Sequence, residues 1–129
     1  MSYEAVRTIS LAPVTANVIN ANRFVNLVAG TATIDESTAA GDCIGVSLDS
    51  SAATASALIP VALPDGCVVE VEAGAAVTVG ARLISDATGR AITATGATAR
   101  VLGRALTAAG AAGEMMNVLL IKDAGEFVA

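Results

Sequence analysis

Short apolar runs interrupted by glycine and β-branched residues are the feature that most restricts the fold of this 129-residue chain. Most runs are roughly four to eight residues long and end at Gly, Asp, Ser or Pro, which is the spacing of strands and turns. We therefore predict an all-β domain, a small β-barrel or sandwich with at most two short helical turns. The candidate strands are residues 3–10, 24–29, 43–48, 57–63, 67–72, 82–85, 91–94, 100–107 and 115–121.

A faint internal repeat suggests that the domain has two similar halves. Gly30 recurs as Gly89 and Gly45 as Gly103, at offsets of 59 and 58 residues. In each half the second glycine lies in an x-Gly-x-x-Leu strand, which is followed by an Ala/Ser/Thr/Gly loop and another apolar strand. Two copies are too few for a solenoid, so we predict duplicated halves of one barrel or sandwich. Chance similarity in an Ala-rich chain is the alternative. The most distinct turn is residues 86–89, which closes a hairpin on a glycine suited to positive φ.

The composition excludes several classes of function. Histidine, the commonest general base and metal ligand, is absent, and no serine lies in a nucleophile motif. The net charge of −5 argues against a nucleic-acid partner, because such binding depends on clustered Lys and Arg. We predict no enzymatic activity, no cofactor and no metal. The pairs Asp35-Glu36 and Glu70/Glu72 are interpreted as solvated carboxylates.

The cysteines and the apolar segments indicate the compartment. Cys43 and Cys67 lack the spacing of a zinc or redox motif, so we expect two buried free thiols. The first residues have neither the charge pattern nor the apolar core of a signal peptide. No run reaches the roughly 18 apolar residues of a membrane span. The sequence thus predicts a cytosolic product with no membrane partner.

The two ends differ from the middle of the chain. We divide it into an N-terminal arm (1–22), a β domain (23–121) and a C-terminal tail (122–129). Residues 3–9 have the composition of an exposed edge strand, which could add to the sheet of a partner. Pairing of this strand within its own barrel is the alternative. If the edge is exposed, the contact residues in the arm are Tyr3, Val6, Arg7 and Ile9.

Arginine dominates the basic residues of the second half. Arg82 and Arg104 lie in candidate strands, and a planar guanidinium suits interfacial pairing with carboxylates. We include both in the candidate contact set, with simple solubilisation of a β surface as the alternative. A chain with 15% charged residues and many small aliphatic ones also predicts a homo-oligomer, a trimer or else a dimer, because its apolar surface needs cover.

Two segments of the second half resemble a known family. Residues 71–91 contain the run Glu-Ala-Gly-Ala-Ala-Val-Thr-x-Gly, which leads into an Asp-x-x-Gly-Arg turn. Residues 101–110 contain a Gly-Arg-Ala-Leu strand followed by an Ala/Gly-rich loop. These segments resemble the capsid cement, or head decoration, proteins of tailed bacteriophages and prophages, and the resemblance covers about residues 14–121.

The resemblance implies a non-enzymatic protein made in the host bacterial cytoplasm and bound to the outer capsid surface of the virion. Its partner would be the major capsid protein, commonly engaged as trimers at local three-fold positions, and it would stiffen the head against packaged DNA. Two alternatives come from other classes of protein. One is a phage fibre or adhesin-type β module, and the other a small β-barrel that binds a ligand.

Overall fold

The computed structural model describes residues 7–14, 18–38, 43–50, 58–64, 66–95 and 101–121. Within these residues there is no helix, and ten strands form two sheets of five. The prediction of an all-β fold with two similar halves is confirmed. The strands are β1 Thr8–Pro13, β2 Phe24–Leu27, β3 Thr33–Glu36, β4 Gly45–Ser47, β5 Ile59–Ala62, β6 Val68–Glu72, β7 Arg82–Ser85, β8 Ala91–Thr93, β9 Gly103–Ala105 and β10 Met115–Leu120.

The first half is a closed barrel with the strand order β1-β3-β2-β4-β5. Strand β1 closes it by pairing antiparallel with β5, where Ile9 lies opposite Val61, and parallel with β3, where Pro13 lies opposite Ile34. Proline is accommodated at the end of a strand, where its missing N–H interrupts the ladder least. The strand order is therefore cyclic, with β1 as the strand that closes the barrel.

Part of residues 1–22, which the sequence analysis assigns to an N-terminal arm, contributes strand β1 to the barrel. Residues 8–11 of β1 pair with β5, residues 12–13 pair with β3, and Ile19 is fully buried in the barrel interior. Leu11 packs against the same interior, whereas residues 8–10 at the start of β1 are exposed. Residues 1–6 of the arm and the tail 122–129 lie outside the described residues.

The second half is a five-stranded sheet with the order β6-β10-β9-β7-β8. The hairpin predicted at residues 82–93 is confirmed, because β7 pairs antiparallel with β8 and Gly89 has a φ of 82°. An isolated parallel bridge joins Ala73, just after β6, to Ala91 at the start of β8. The edge strands β6 and β8 therefore approach each other, as β1 and β3 do in the first half.

The two halves are duplicates in hydrogen bonding as well as in strand order. The amide of Ser47 donates to the carbonyl of Arg23 at 2.8 Å, and the amide of Ala105 donates to the carbonyl of Ala81 at 3.1 Å. Each atom of the second bond lies 58 residues after its counterpart in the first. The internal repeat predicted from the sequence therefore corresponds to a duplicated structural unit.

The repeated glycines have the same physical cause in both halves. A Cβ added at Gly45 would meet the carbonyl oxygen of Ala62, and one added at Gly103 would lie 2.7 Å from the carbonyl oxygen of Leu119. Neither oxygen is at the end of a flexible side chain, so neither can move aside cheaply. The x-Gly-x-x-Leu pattern thus records the close approach of a neighbouring strand at equivalent places.

Small aliphatic side chains form two cores. The barrel interior is built around residues of the first half, and a larger shared core joins the second sheet to the outer surface of the barrel. Phe24 is the largest fully buried side chain and belongs to the shared core, together with Val46 and Ala62 of the barrel. The two halves are therefore held together by burial of apolar surface from both.

Two details differ from the sequence prediction. Strand β3 was not predicted, because it offers only Ile34 as an apolar residue and ends in an acidic pair. The cysteines are free, but each lies just before a strand instead of on one. The Cys43 thiol donates to the Ser37 hydroxyl at 2.9 Å, and the buried Cys67 thiol donates to a backbone carbonyl.

Candidate interaction surface

The predicted contact residues fall into separate groups. Tyr3 and Val6 lie outside the described residues. Arg7 is exposed directly before β1, and Ile9 on β1 is 43% exposed, so both are on the barrel. Arg82 and Arg104 are on the second sheet, where they lie opposite each other on β7 and β9 and are half-buried. The structure brings the two arginines together but places them on a different sheet from Arg7 and Ile9.

The turn between β7 and β8 (residues 86–90) connects the two halves. The amide of Phe24 donates to the carbonyl of Gly89 at 2.7 Å, and Gly89 is buried against the barrel. A Cβ at Gly89 would lie 2.6 Å from the Phe24 carbonyl oxygen. Glycine is thus required here twice, for its positive φ and for the close approach of the other half.

A charged network that the sequence analysis missed lies beside this turn. The Arg23 guanidinium contacts both carboxylate oxygens of Glu72 at 3.3 Å, and it donates to the Thr88 carbonyl at 2.9 Å. Glu36 lies 3.6 Å from Arg23, and Arg90 lies 3.8 Å from Glu72. Because the network joins residues of both halves, it fixes their relative position in addition to the apolar contact.

Asp86 organises the turn itself. Its Oδ1 accepts hydrogen bonds from the amides of Thr88 and Arg90 at 2.8 and 2.9 Å, and its Oδ2 accepts one from Arg90 Nε at 3.1 Å. Burial raises the pKa of this carboxyl, but the hydrogen bonds from Thr88 and Arg90 and the charge of Arg90 outweigh burial, so the pKa lies below its usual 3.8. The turn therefore carries a carboxylate at neutral pH.

The side of the second sheet that faces away from the shared core forms a distinct surface. Cross-strand partners share a face, and one row runs from Val68 through Leu119 and Arg104 to Arg82. The neighbouring positions on this side are more exposed. We call this surface the second-sheet outer face, and it consists of Val68, Glu70, Arg82, Arg104, Leu106, Met115, Asn117 and Leu119.

A small apolar pocket lies where the two halves meet. Phe24, Cys43 and Gly45 line it from the first half, and Leu102 and Leu120 are among its residues from the second. Its remaining lining residues are Pro64, Val101 and Ile121. The Cys43 thiol is the sole titratable side chain among these lining residues, so the pocket lacks the converging polar groups of a catalytic or ligand-binding site.

The described residues do not gather into a metal site. They contain no group of three or more His, Cys, Asp or Glu side chains positioned to share an ion. No helix capable of crossing a bilayer is found in the described segments. The exposed features described above are the barrel surface at Arg7 and Ile9 and the second-sheet outer face.

Comparison with known proteins gives one sequence match and one structural match of interest. The sequence profile of the phage cement proteins matches residues 4–120. Among curated proteins, none matches the sequence significantly. Among solved structures, the chain is similar to the head fiber gp8.5 N base in bacteriophage phi29, with a TM-score of 0.68 and 19% identity over 88% of this chain and 94% of that chain. At this identity the structural likeness concerns the fold.

Proposed function

From the premise that the chain belongs to the phage cement protein family, we propose that it is a capsid decoration protein. It binds the major capsid protein on the outer surface of an icosahedral phage head and stabilises the head against the pressure of packaged DNA. It acts as a homo-oligomer, a trimer or else a dimer, on the capsid surface of the virion, after synthesis in the host cytoplasm. The family match over almost the whole chain is the observation that carries this proposal.

The molecule has the physical properties that such a role requires. Its two halves share one apolar core and a charged network, so force applied to one half is transmitted to the other. The described residues hold no metal cluster, and the pocket between the halves lacks polar groups for chemistry. A net charge of −5 also disfavours direct contact with DNA.

The capsid contact is proposed to involve the N-terminal end of the barrel. Arg7 and Ile9 are exposed there, and Tyr3 and Val6 precede them in the chain. Because residues 8–11 of β1 already pair with β5 along one edge, we expect affinity to come mainly from exposed side chains and from residues before Arg7. Arg82 and Arg104 form the second proposed contact.

The decisive experiment adds purified protein to expanded heads that lack it. We expect stoichiometric binding by sedimentation and electron microscopy, and greater retention of DNA when decorated heads are heated or osmotically shocked. Failure to bind expanded heads would overturn the proposal. Binding without improved DNA retention would leave decoration in place but remove stabilisation.

A truncation that removes residues 2–6 tests the N-terminal contact. It leaves β1 intact, so the truncated protein should keep its melting temperature while losing affinity for heads. The matched control is Val79→Ser, which changes an exposed apolar residue in the other half and should not alter head binding. Unchanged head affinity of the truncated protein would exclude residues 2–6 from the contact.

A head-fibre base is the second candidate, favoured by the fold shared with the phi29 head fiber base. The two candidates differ in what projects from the head. Electron microscopy of native virions would show compact knobs for a cement protein and extended fibres for a fibre base.

A further inference from the structure

We propose that the second-sheet outer face, at Arg82 and Arg104, binds the turn between β2 and β3 (residues 28–33) of a second copy of this chain. The contact repeats between copies the one that joins the two halves within a copy. The inference deepens the proposed function and rests on it for one point, that the protein works as a homo-oligomer.

Equivalent positions of the two halves identify the surface that receives the turn. In the barrel, Phe24 lies opposite Val46, which lies opposite Ala62. In the second sheet, Arg82 lies opposite Arg104, which lies opposite Leu119. The two trios occupy the same strands and the same register of the duplicated unit, so they mark the same face of each half.

The burial of these trios differs between the halves. Phe24, Val46 and Ala62 are at most 1% exposed, because the second half covers this face of the barrel. Arg82, Arg104 and Leu119 are half-buried. A face that the fold uses as an interface in one half is thus present in the other half, and the described residues form no third half that covers it.

The turn that makes this contact also differs in burial between the halves, but here the second half has the buried copy and the barrel has the exposed one. The covering turn of the second half closes with a bond from the Asp86 amide to the Arg90 carbonyl, and its Gly89 is buried against Phe24. The equivalent turn of the barrel closes with a bond from the Val28 amide to the Thr33 carbonyl. Its central residues, 29–32, are all exposed.

Each chain therefore has one covered face and one buried turn, together with an equivalent further face and an equivalent further turn that is one residue longer. The contact is head-to-tail, and repeating it from copy to copy closes a ring when the rotation permits, which is the route to a cyclic trimer. A second copy is thus the occupant that continues an interface already present in the molecule.

The chemistry of the receiving face is compatible with this occupant. The face carries Arg82 and Arg104, and the donating turn at residues 28–33 is uncharged, so its backbone carbonyls would accept from a guanidinium as the Thr88 carbonyl does from Arg23. Arginine is enriched at protein interfaces, since its weakly hydrated planar group pairs and stacks at modest desolvation cost. Arginines also keep this face soluble before assembly, where the barrel has Phe24 and Val46.

The junction between the two halves also indicates how far the proposed contact between copies extends. On the covered face of the barrel, Leu48 and Leu58 remain 38% and 62% exposed beside the buried trio. Their counterparts on the second-sheet outer face are Leu106 and Met115, which are 44% and 45% exposed. The footprint should accordingly include Arg82 and Arg104 and exclude Met115, which supplies a matched control on the same face.

Cysteine cross-linking tests the head-to-tail geometry in the full-length protein, both free and bound to heads. Ala32 immediately precedes the closing residue of the β2–β3 turn, as Gly89 does in the β7–β8 turn. A mixture of Ala32→Cys and Arg82→Cys should form a cross-linked dimer under mild oxidation. Each variant alone, and the wild type with its native cysteines, should form little of it. Equal cross-linking by Arg82→Cys alone would indicate a two-fold contact and overturn the proposal.

Substitutions test the footprint by a separate measurement. Arg82→Glu and Arg104→Glu should shift the mass measured by light scattering from the oligomer to the single chain, while Met115→Glu keeps the oligomer. Circular dichroism reports whether each variant is folded. An oligomer that survives Arg82→Glu and Arg104→Glu in folded protein, or is lost with Met115→Glu alone, would overturn the inference.

The outcomes separate this inference from the proposed function. A protein that is a single chain in solution and on heads, yet saturates the heads, overturns the contact between copies and leaves decoration intact. That result would also be expected if residues 122–129 of the same chain covered the second-sheet outer face. An oligomer with the predicted cross-link that does not bind heads supports the contact and overturns the decoration role.

Discussion

Gly89→Ala tests whether the β7–β8 turn joins the two halves as the structure describes. Gly89 has a φ of 82°, and an added Cβ would lie 2.6 Å from the Phe24 carbonyl oxygen and 3.3 Å from Arg23 Cβ. A left-handed backbone costs an alanine about 1 kcal/mol, and overpacking adds about 1 to 3 kcal/mol. We therefore expect the free energy of unfolding to fall by about 2 to 4 kcal/mol.

Gly80→Ala separates the two contributions. Gly80 has a φ of 84°, but an added Cβ would meet no atom within 4 Å, so this variant should lose only about 1 kcal/mol. Urea denaturation of both variants and the wild type should be done at one protein concentration, because self-association adds to apparent stability. Equal losses from the two substitutions would refute the close contact between Gly89 and Phe24, and with it the described junction of the halves.

Three further predictions concern Arg23, Asp86 and the two thiols. Arg23→Met should lower the free energy of unfolding by about 2 kcal/mol in urea, because it leaves the Glu72 carboxylate with a weaker set of partners; no loss would mean that the network is not stabilising. The lowered pKa of Asp86 contributes stability that is complete above its usual 3.8 and is lost as the pH falls through the lowered value, so Asp86→Asn should flatten the acid limb of the stability profile; an unchanged limb would contradict that linkage. Alkylation followed by intact-mass analysis should label Cys67 much more slowly in native than in denaturing buffer, and more slowly than Cys43, because Cys67 is 3% exposed; rapid native labelling of Cys67 would contradict its burial.

Features that depend on neighbouring residues were predictable from the sequence. The hairpin at residues 82–93 needs only two short apolar runs and a turn. The Asp86 side chain and the Gly89 backbone form that turn locally. The duplication was visible because Gly45 and Gly103 meet the same steric restriction, which preserves glycine at both places. An all-β fold follows from the spacing of such features along the chain.

Features that depend on distant partners were not predictable. Arg23 and Glu72 are 49 residues apart, and nothing near either residue in the sequence identifies the other. The pairing of β1 was not predictable for the same reason. Its composition suits an edge strand, and its partners β3 and β5 are brought next to it only when the barrel closes. Arg82 and Arg104 stand out in a chain with 15% charged residues, whereas their position opposite each other depends on the register of β7 and β9.

The duplication also explains why the second-sheet outer face differs from its counterpart in the barrel. In a head-to-tail contact between two halves, one receiving face and one turn take no part in the junction, and a terminal repeat must make that face compatible with water. Three polar residues at positions 82, 104 and 119 would make the face compatible with water. Position 119 is nevertheless a leucine, which lies between Arg104 and Val68. A face intended only for solvent has no need of that apolar row, whereas a face that is first exposed and later covered needs both the arginines and the leucine.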